Sequence, residues 1–168
     1  APQDGQVRWR RRATPPANAR PASHSAPVDG SGQLTNYTEA NKAWDSGVVY
    51  SPDGKLVAYR AMKRPGFEAD RWQIMIHDEI TGKDRELAAD WDRSADAIAW
   101  APDGKTIYAL AGDVGQTRIF AINVKSGKVA ALTGPGHVSG FDVGPKGIVY
   151  AQDTLAGPAQ LSRGPTQL

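Results

Sequence analysis

The chain has no cysteine, only three histidines and two methionines among its 168 residues, and no run of eighteen apolar residues. Without cysteine there is no disulfide framework and no thiolate metal site. Without a long apolar run no membrane-spanning helix is expected. His24, His77 and His137 stand far apart in the sequence and match no ligand spacing, so neither a metal nor another cofactor is expected. The N-terminus carries arginines with no apolar stretch behind them, so no intact signal peptide is expected there. Lack of cysteine suits periplasm and cytoplasm equally, and the sequence leaves the compartment open between the two.

Charge of one sign is also missing. The formal net charge is +2, unevenly placed: residues 1–33 hold Arg8, Arg10, Arg11, Arg12 and Arg20 against Asp4 and Asp29. The remainder holds fifteen basic and sixteen acidic residues. The folded part therefore lacks the basic field of a nucleic-acid binder, and no nucleic-acid partner is expected for it. Residues 1–35 are rich in Pro, Ala, Arg, Ser and Gly and nearly devoid of large aliphatics. Such a stretch cannot bury enough apolar area to offset its ordering entropy, so it reads as a disordered basic tail. Within it, Trp9-Arg10-Arg11-Arg12 has the charge of a nucleic-acid or anionic-surface arm, but short charge runs are usually solvated and a plain tail or linker is the favoured reading.

What the chain does contain is a sentence written twice. Val48-Val49-Tyr50-Ser51-Pro52-Asp53-Gly54-Lys55 returns as Ile98-Ala99-Trp100-Ala101-Pro102-Asp103-Gly104-Lys105. Thr81-Gly82-Lys83 returns as Ser126-Gly127-Lys128. Self-similarity at this period marks repeat architectures. In each Pro-Asp-Gly turn, proline presets φ and glycine accepts a positive φ. Short apolar runs punctuated every 8–12 residues by turn signals predict an all-β fold. The second strand of each unit, Leu56-Val57-Ala58-Tyr59 and Thr106-Ile107-Tyr108-Ala109, is apolar on both faces, as a strand sandwiched between sheets must be. Four antiparallel strands per unit is the arithmetic of a β-propeller blade. The expectation is an incomplete propeller over 36–161 of about two and a half blades (45–89, 96–133, 138–161). The third ends in a stunted strand, and 162–168 form a tail.

Spacing also places the loops. Pro52 to Gly82 is longer than Pro102 to Gly127, and the extra residues fall in Lys63–Arg71, between strands two and three. In an antiparallel meander those connections share one edge with the four-to-one connections. One face should therefore carry tight turns, and the other Lys63–Arg71, Ala89–Asp96, Gly112–Gln116 and Gly134–Ser139. Longer loops on a rigid scaffold are where binding usually sits.

The Ser-Pro-Asp-Gly-Lys turn before an apolar strand, followed by Thr-Gly-Lys, resembles the blade repeat of the prolyl oligopeptidase superfamily of serine peptidases and of the TolB-like propellers. The segments Ala61–Arg71 and Asp90-Trp91-Asp92-Arg93-Ser94 look like its bacterial dipeptidyl peptidase and acylaminoacyl peptidase branch. The resemblance implies a propeller that caps an α/β-hydrolase domain and screens peptide substrates, with the catalytic triad in the hydrolase. This sequence has no Gly-x-Ser-x-Gly nucleophile elbow, and Gly136-His137-Val138-Ser139-Gly140 has the wrong spacing. No catalytic residue is assigned, and the chain reads as blades cut from a larger enzyme. Its peptide substrate would belong to the full-length protein.

The candidate substrate-binding residues are Glu68, Asp70, Arg64, Arg71 and Phe67. The family holds a substrate's free α-amino group with propeller carboxylates, although its adjacent Glu pair is absent here. The competing reading is a loop tied by its own ion pairs. The candidate loop-face residues are Trp91, Asp92, Arg93, Asp113 and His137, the last left open between ligand and surface residue. Asp90, Asp92, Ser94 and Asp96 alternate like a calcium loop but lack its central Gly and closing Glu. His77 aligns with Ile122 and reads as a packing position, while Trp44, Trp72, Trp91 and Trp100 read as core. Three functions stay open: a substrate-gating peptidase propeller, a TolB-like protein-binding module, and a small hydrolase with an unrecognised site. Open blade edges predict self-association, with swapped blades closing a composite ring.

Overall fold

The computed structural model describes residues 24–27, 29–32 and 35–164. Among these it contains strands and no helix: β1 His24–Ser25, β2 Thr35–Asn36, β3 Asp45–Tyr50, β4 Leu56–Ala61, β5 Gln73–Asp78 and β6 Lys83–Leu87. The series continues with β7 Ala95–Trp100, β8 Thr106–Asp113, β9 Gln116–Asn123, β10 Val129–Ala131, β11 His137–Gly144, β12 Gly147–Thr154 and β13 Gly157–Arg163. β3 to β6 form a four-stranded antiparallel meander. β7 to β10 repeat it, and β11 to β13 form a three-stranded meander joined to β9 by a single bridge, His137 to Thr117. The expected all-β blade array is what the chain adopts.

The turns use the chemistry their sequences carry. Gly54 and Gly104 take φ of 70° and 67°. Asp53 and Asp103 accept the N–H of Lys55 and Lys105 at 3.2 and 2.9 Å. In the first unit Ser51 adds a clamp, donating to Asp53 at 2.7 Å and accepting the Leu56 N–H at 2.9 Å. Each first strand also carries a bulge near its start: between Ser46 and Val49, Ala95 and Ala97, and Val138 and Gly140. Gly47, at φ 68°, leaves room for Arg60, whose Nε would lie 2.8 Å from any Cβ there. Arg60 crosses to the second blade and donates to the Ala95 and Asp96 carbonyls.

The core lies between the sheets. Ala58, Ile74, Ile76 and Leu87 of the first blade meet Ile98, Trp100, Ile107, Ile122 and Val124 of the second. Tyr108, Leu110, Ile119 and Ala121, on the second sheet's other face, meet Val138, Ile148 and Tyr150 of the third. The second strands are covered on both faces, with Val57, Ala58, Ile107 and Ala109 fully buried. The Val57 and Ile107 side chains so buried each contribute roughly 1.5–3 kcal/mol.

The outer face of the first sheet is covered differently. Tyr50, Val57, His77 and Asp84 form one cross-strand row on it. The Tyr37 ring packs against His77 at 5.0 Å. Its hydroxyl donates to Glu79 at 2.7 Å and shares hydrogen bonds with Tyr50 and Ser25. Burial, ahead of the bonds to Tyr50 and Glu79, raises the Tyr37 pKa, so the hydroxyl stays protonated. Asn41 ties the same segment to Asp45 and the Met62 carbonyl. Residues 35–44 thus form a strap over the blade.

Several expectations are revised. Residues 1–23 of the expected disordered tail lie outside the described residues, but its last part pairs, β1 with β2. The third unit's last strand is not stunted: β13 has seven residues and runs to Arg163, two past the expected boundary, because Leu155-Ala156 closes a hairpin. The fourth strand of the second blade is only three residues long, and beyond it the Thr133 hydroxyl accepts the Ile119 N–H at 3.1 Å. Gly112–Gln116 is a two-residue hairpin and not a long loop. Trp44 is 40% exposed, outside the core. His77 packs as expected but also bonds Asp84 at 3.1 Å.

That hairpin places Val114 and Gly115 at φ 49° and 76°. A turn with two positive φ values favours Asn-Gly, and a β-branched residue there is strained. Replacing the exposed Val114 by Asn is expected to raise stability by about 1 kcal/mol, read as a higher urea midpoint at unchanged slope.

Candidate functional site

The loop face gathers the connections after β4, β6, β8 and β10. The loop from Met62 to Trp72 is held by one carboxylate. Asp70 accepts the backbone N–H groups of Lys63 and Arg64 at 2.8 and 2.7 Å. It also accepts the Arg64 side chain at 2.9–3.0 Å. Burial works to raise its pKa, but these hydrogen bonds outweigh it and hold the carboxyl well below the usual range. Arg64 in turn lies 3.9 Å over the Phe67 ring. Arg71 reaches the Trp91 carbonyl and Glu86, both at 2.7 Å, and so ties this loop to the next.

Glu68 stands apart from this bracing. It is exposed and has no hydrogen-bond or ion-pair partner among the described residues. Phe67, beside it, is 44% exposed. The five residues of this loop therefore divide: Asp70, Arg64 and Arg71 are committed to its architecture, while Glu68 and a face of Phe67 are open to a ligand.

A second cluster centres on Asp113, at the end of β8. One oxygen accepts Arg93 at 3.0–3.1 Å, and the other accepts Arg118 at 3.1 Å. These bonds, Arg93 first, lower its pKa. Arg118 also donates twice to the Thr133 carbonyl, at 2.9 and 2.6 Å. Asp113 thereby joins the connection before β7, the start of β9 and the end of the fourth strand. Asp92 does little here: its side chain is 98% exposed and 3.9 Å from Arg93. Trp91 packs edge-on against Phe120 at 5.1 Å. Arg118 was missed in the sequence, since nothing in a strand pattern shows which way an arginine at its start will turn.

His137 lies at the third blade, its Nδ1 3.2 Å from Asp153. Ser139 gives its hydroxyl to the Ala151 carbonyl at 3.5 Å, a long contact. The neighbouring loop is fixed by Gln152, which donates to the Gly134 and Pro135 carbonyls, and by Gln116, which accepts the Gly136 N–H. The structure thus distributes the ten sequence candidates over four neighbouring connections of one face and does not gather them around one pocket.

Comparison with known proteins adds the following. No family model matches the chain. A dipeptidyl-peptidase 5 of Porphyromonas gingivalis is 36% identical over 107 residues, covering 64% of this chain and 16% of that protein. The chain thus spans about one sixth of that relative's length. A TolB of Agrobacterium tumefaciens superposes with a TM-score of 0.63 at 22% identity, over 84% of this chain and 52% of the other. An acylaminoacyl peptidase of Pyrococcus horikoshii superposes at 0.60 and 19% identity, over 78% and 19%. At these identities the two structural likenesses establish the propeller fold alone.

The ion-pair clusters set a pH dependence. A carboxylate whose pKa is depressed on folding stabilises the fold above its unfolded value and loses that contribution as pH falls through the folded one. Asp70 and Asp113 both carry depressed values, so stability should decline as the pH drops below about 4. Asp113→Asn should be less stable than the parent at pH 7 and lose less on acidification, measured by urea titration across pH.

Proposed function

We propose that this chain, a β-propeller region of the dipeptidyl peptidase kind within the prolyl oligopeptidase superfamily, screens peptide substrates and holds their free amino end on its loop face. The observation that carries the reading is Glu68. Its carboxylate is exposed and unengaged while its neighbour Asp70 is saturated by Arg64 and two backbone donors. A primary ammonium needs a charged acceptor when it leaves water, and a hydrogen bond to an ionised group is about twice as strong as a neutral one. Phe67 beside it offers an apolar surface to the terminal side chain of such a peptide. The similarity to a protein named dipeptidyl-peptidase 5 supports the choice of ligand.

The same reading makes this chain non-catalytic by itself. The sequence contains no nucleophile elbow. The Ser139 hydroxyl is directed to the Ala151 carbonyl, whereas a nucleophile needs a base as its hydrogen-bond partner.

Two measurements test this. The purified chain should release no chromophore from dipeptidyl or aminoacyl chromogenic substrates and should not react with a fluorophosphonate probe. In a titration followed by NMR, Glu68 should respond to a dipeptide with a free amine. Glu68→Gln should weaken that binding about tenfold, the size of one charge-assisted hydrogen bond. The N-acetylated dipeptide should bind parent and variant alike. Equal binding of the free and the acetylated peptide by the parent would sink the amine-anchor reading.

A further inference from the structure

Between the outermost strands of the first two blades lies a cleft that the amino-end site does not use. Its volume is about 430 Å³. Arg85, Ala88, Ala89 and Asp90, at the end of β6, line it from the first blade. Lys125 and Ser126, in the turn from β9 to β10, line it from the second. The two sides touch: a Cβ at Gly127 would stand 3.5 Å from the Ala88 nitrogen.

The backbone of Ala88 shapes this cleft. Its φ is 52°, in the left-handed region, where an alanine is strained. Strain of this kind persists only where the surroundings impose it, and it concentrates at ligand sites. The Trp91 N–H donates to the Ala88 carbonyl at 2.9 Å and closes a turn over Ala89 and Asp90. Neither of these two residues has a positive φ, and no described peptide is cis. A hydrogen-bonded turn with those properties is type I, which puts Ala89 in the right-handed region. A left-handed residue followed by a right-handed one points successive N–H groups into one concavity, the arrangement by which backbone binds anions. Here they are the N–H groups of Ala88, Ala89 and Asp90, and among the described residues none of them has an acceptor.

Two cations share the cleft with these donors. Arg85 gives one Nη to the Val124 carbonyl at 2.7 Å, and its other donors have no partner among the described residues. The exposed Lys125 ammonium has none either. Of the two acids that line the cleft, Glu86 is engaged by Arg71 at 2.7 Å. Asp90 is exposed and unpaired, and its charge keeps the site from being strongly basic.

We propose that this cleft binds an oxyanion, a phosphate or carboxylate group, on the N–H groups of Ala88, Ala89 and Asp90, with Lys125 and Arg85 balancing its charge. The donors come from the first blade and the lysine from the second, so the ligand spans the junction between them. Glu68 belongs to the preceding loop and is suited to a cation, so the two readings stand or fall separately.

NMR of the isotope-labelled full chain tests this. It is titrated with inorganic phosphate, and separately with acetate, at an ionic strength held constant by chloride. The amides of Ala88, Ala89 and Asp90 should shift together and saturate, with a dissociation constant on the order of 1 mM. Whichever ion saturates at the lower concentration identifies the group as phosphoryl or carboxylate. Lys125→Gln and Arg85→Gln should each weaken the binding about fivefold, since each removes a charged donor. Thermal melts identify a variant that has lost its fold, and the other then decides. Shifts that stay linear with both ions, or that spread evenly over the surface, overturn the site. A folded variant at either position that binds as the parent does overturns it as well.

Discussion

The first two blade sheets are apolar on both faces, and that constraint governs the rest. A sheet with one wet face can end an array by itself, whereas these cannot. Ala58 and Ile76 face one way and Val57 the other, and all three are buried. Tyr108 and Ile107 divide in the same manner in the second blade. Each sheet therefore needs cover on two sides, and the array continues until something else supplies it. Between blades the cover is the next sheet. At the first blade it is the strap, whose polar tips are satisfied through the Tyr37 hydroxyl and Asn41.

Stacking sheets this way also fixes where recognition can occur. The faces are consumed by packing, so only the strand connections are free to vary. On one side these are tight Pro-Asp-Gly and Thr-Gly-Lys turns whose polar atoms are spent on their own backbone. On the other they are longer except at the Val114-Gly115 hairpin, and their charged groups are mostly spent on holding them still. Asp70 closes one loop and Asp113 joins three segments. Bracing of this kind gives an unengaged group such as Glu68 a defined place, which a mobile loop would not.

Much of the architecture was legible in the sequence because the turns and second strands carry local, repeated signals. Proline and glycine at fixed offsets specify a hairpin whatever surrounds it, and an apolar run on both faces implies burial on both. The misses have a common cause. Val114-Gly115 carries a single glycine flag, so a loop was expected where a hairpin turn forms. β13 is polar and contains Pro158, and a proline within a run argues against a strand when the sequence is read alone. Arg118 and the strap depend on contacts between residues far apart in sequence, which no local pattern encodes.

For the loop face, the sequence named acids and arginines but could not apportion them between bracing and binding. Spacing put Asp70, Glu68, Arg64 and Arg71 on one loop, and chemistry allowed any carboxylate there to meet either an arginine or a ligand. By itself, then, the sequence determined the blade repeat, the turn positions and the face that carries the longer connections, since these follow from short-range backbone preferences and apolar periodicity. Only the tertiary structure decided which charges brace the loops, which stay unengaged, and which sheet face is covered. Those outcomes depend on distances of a few ångströms between segments that folding alone brings together.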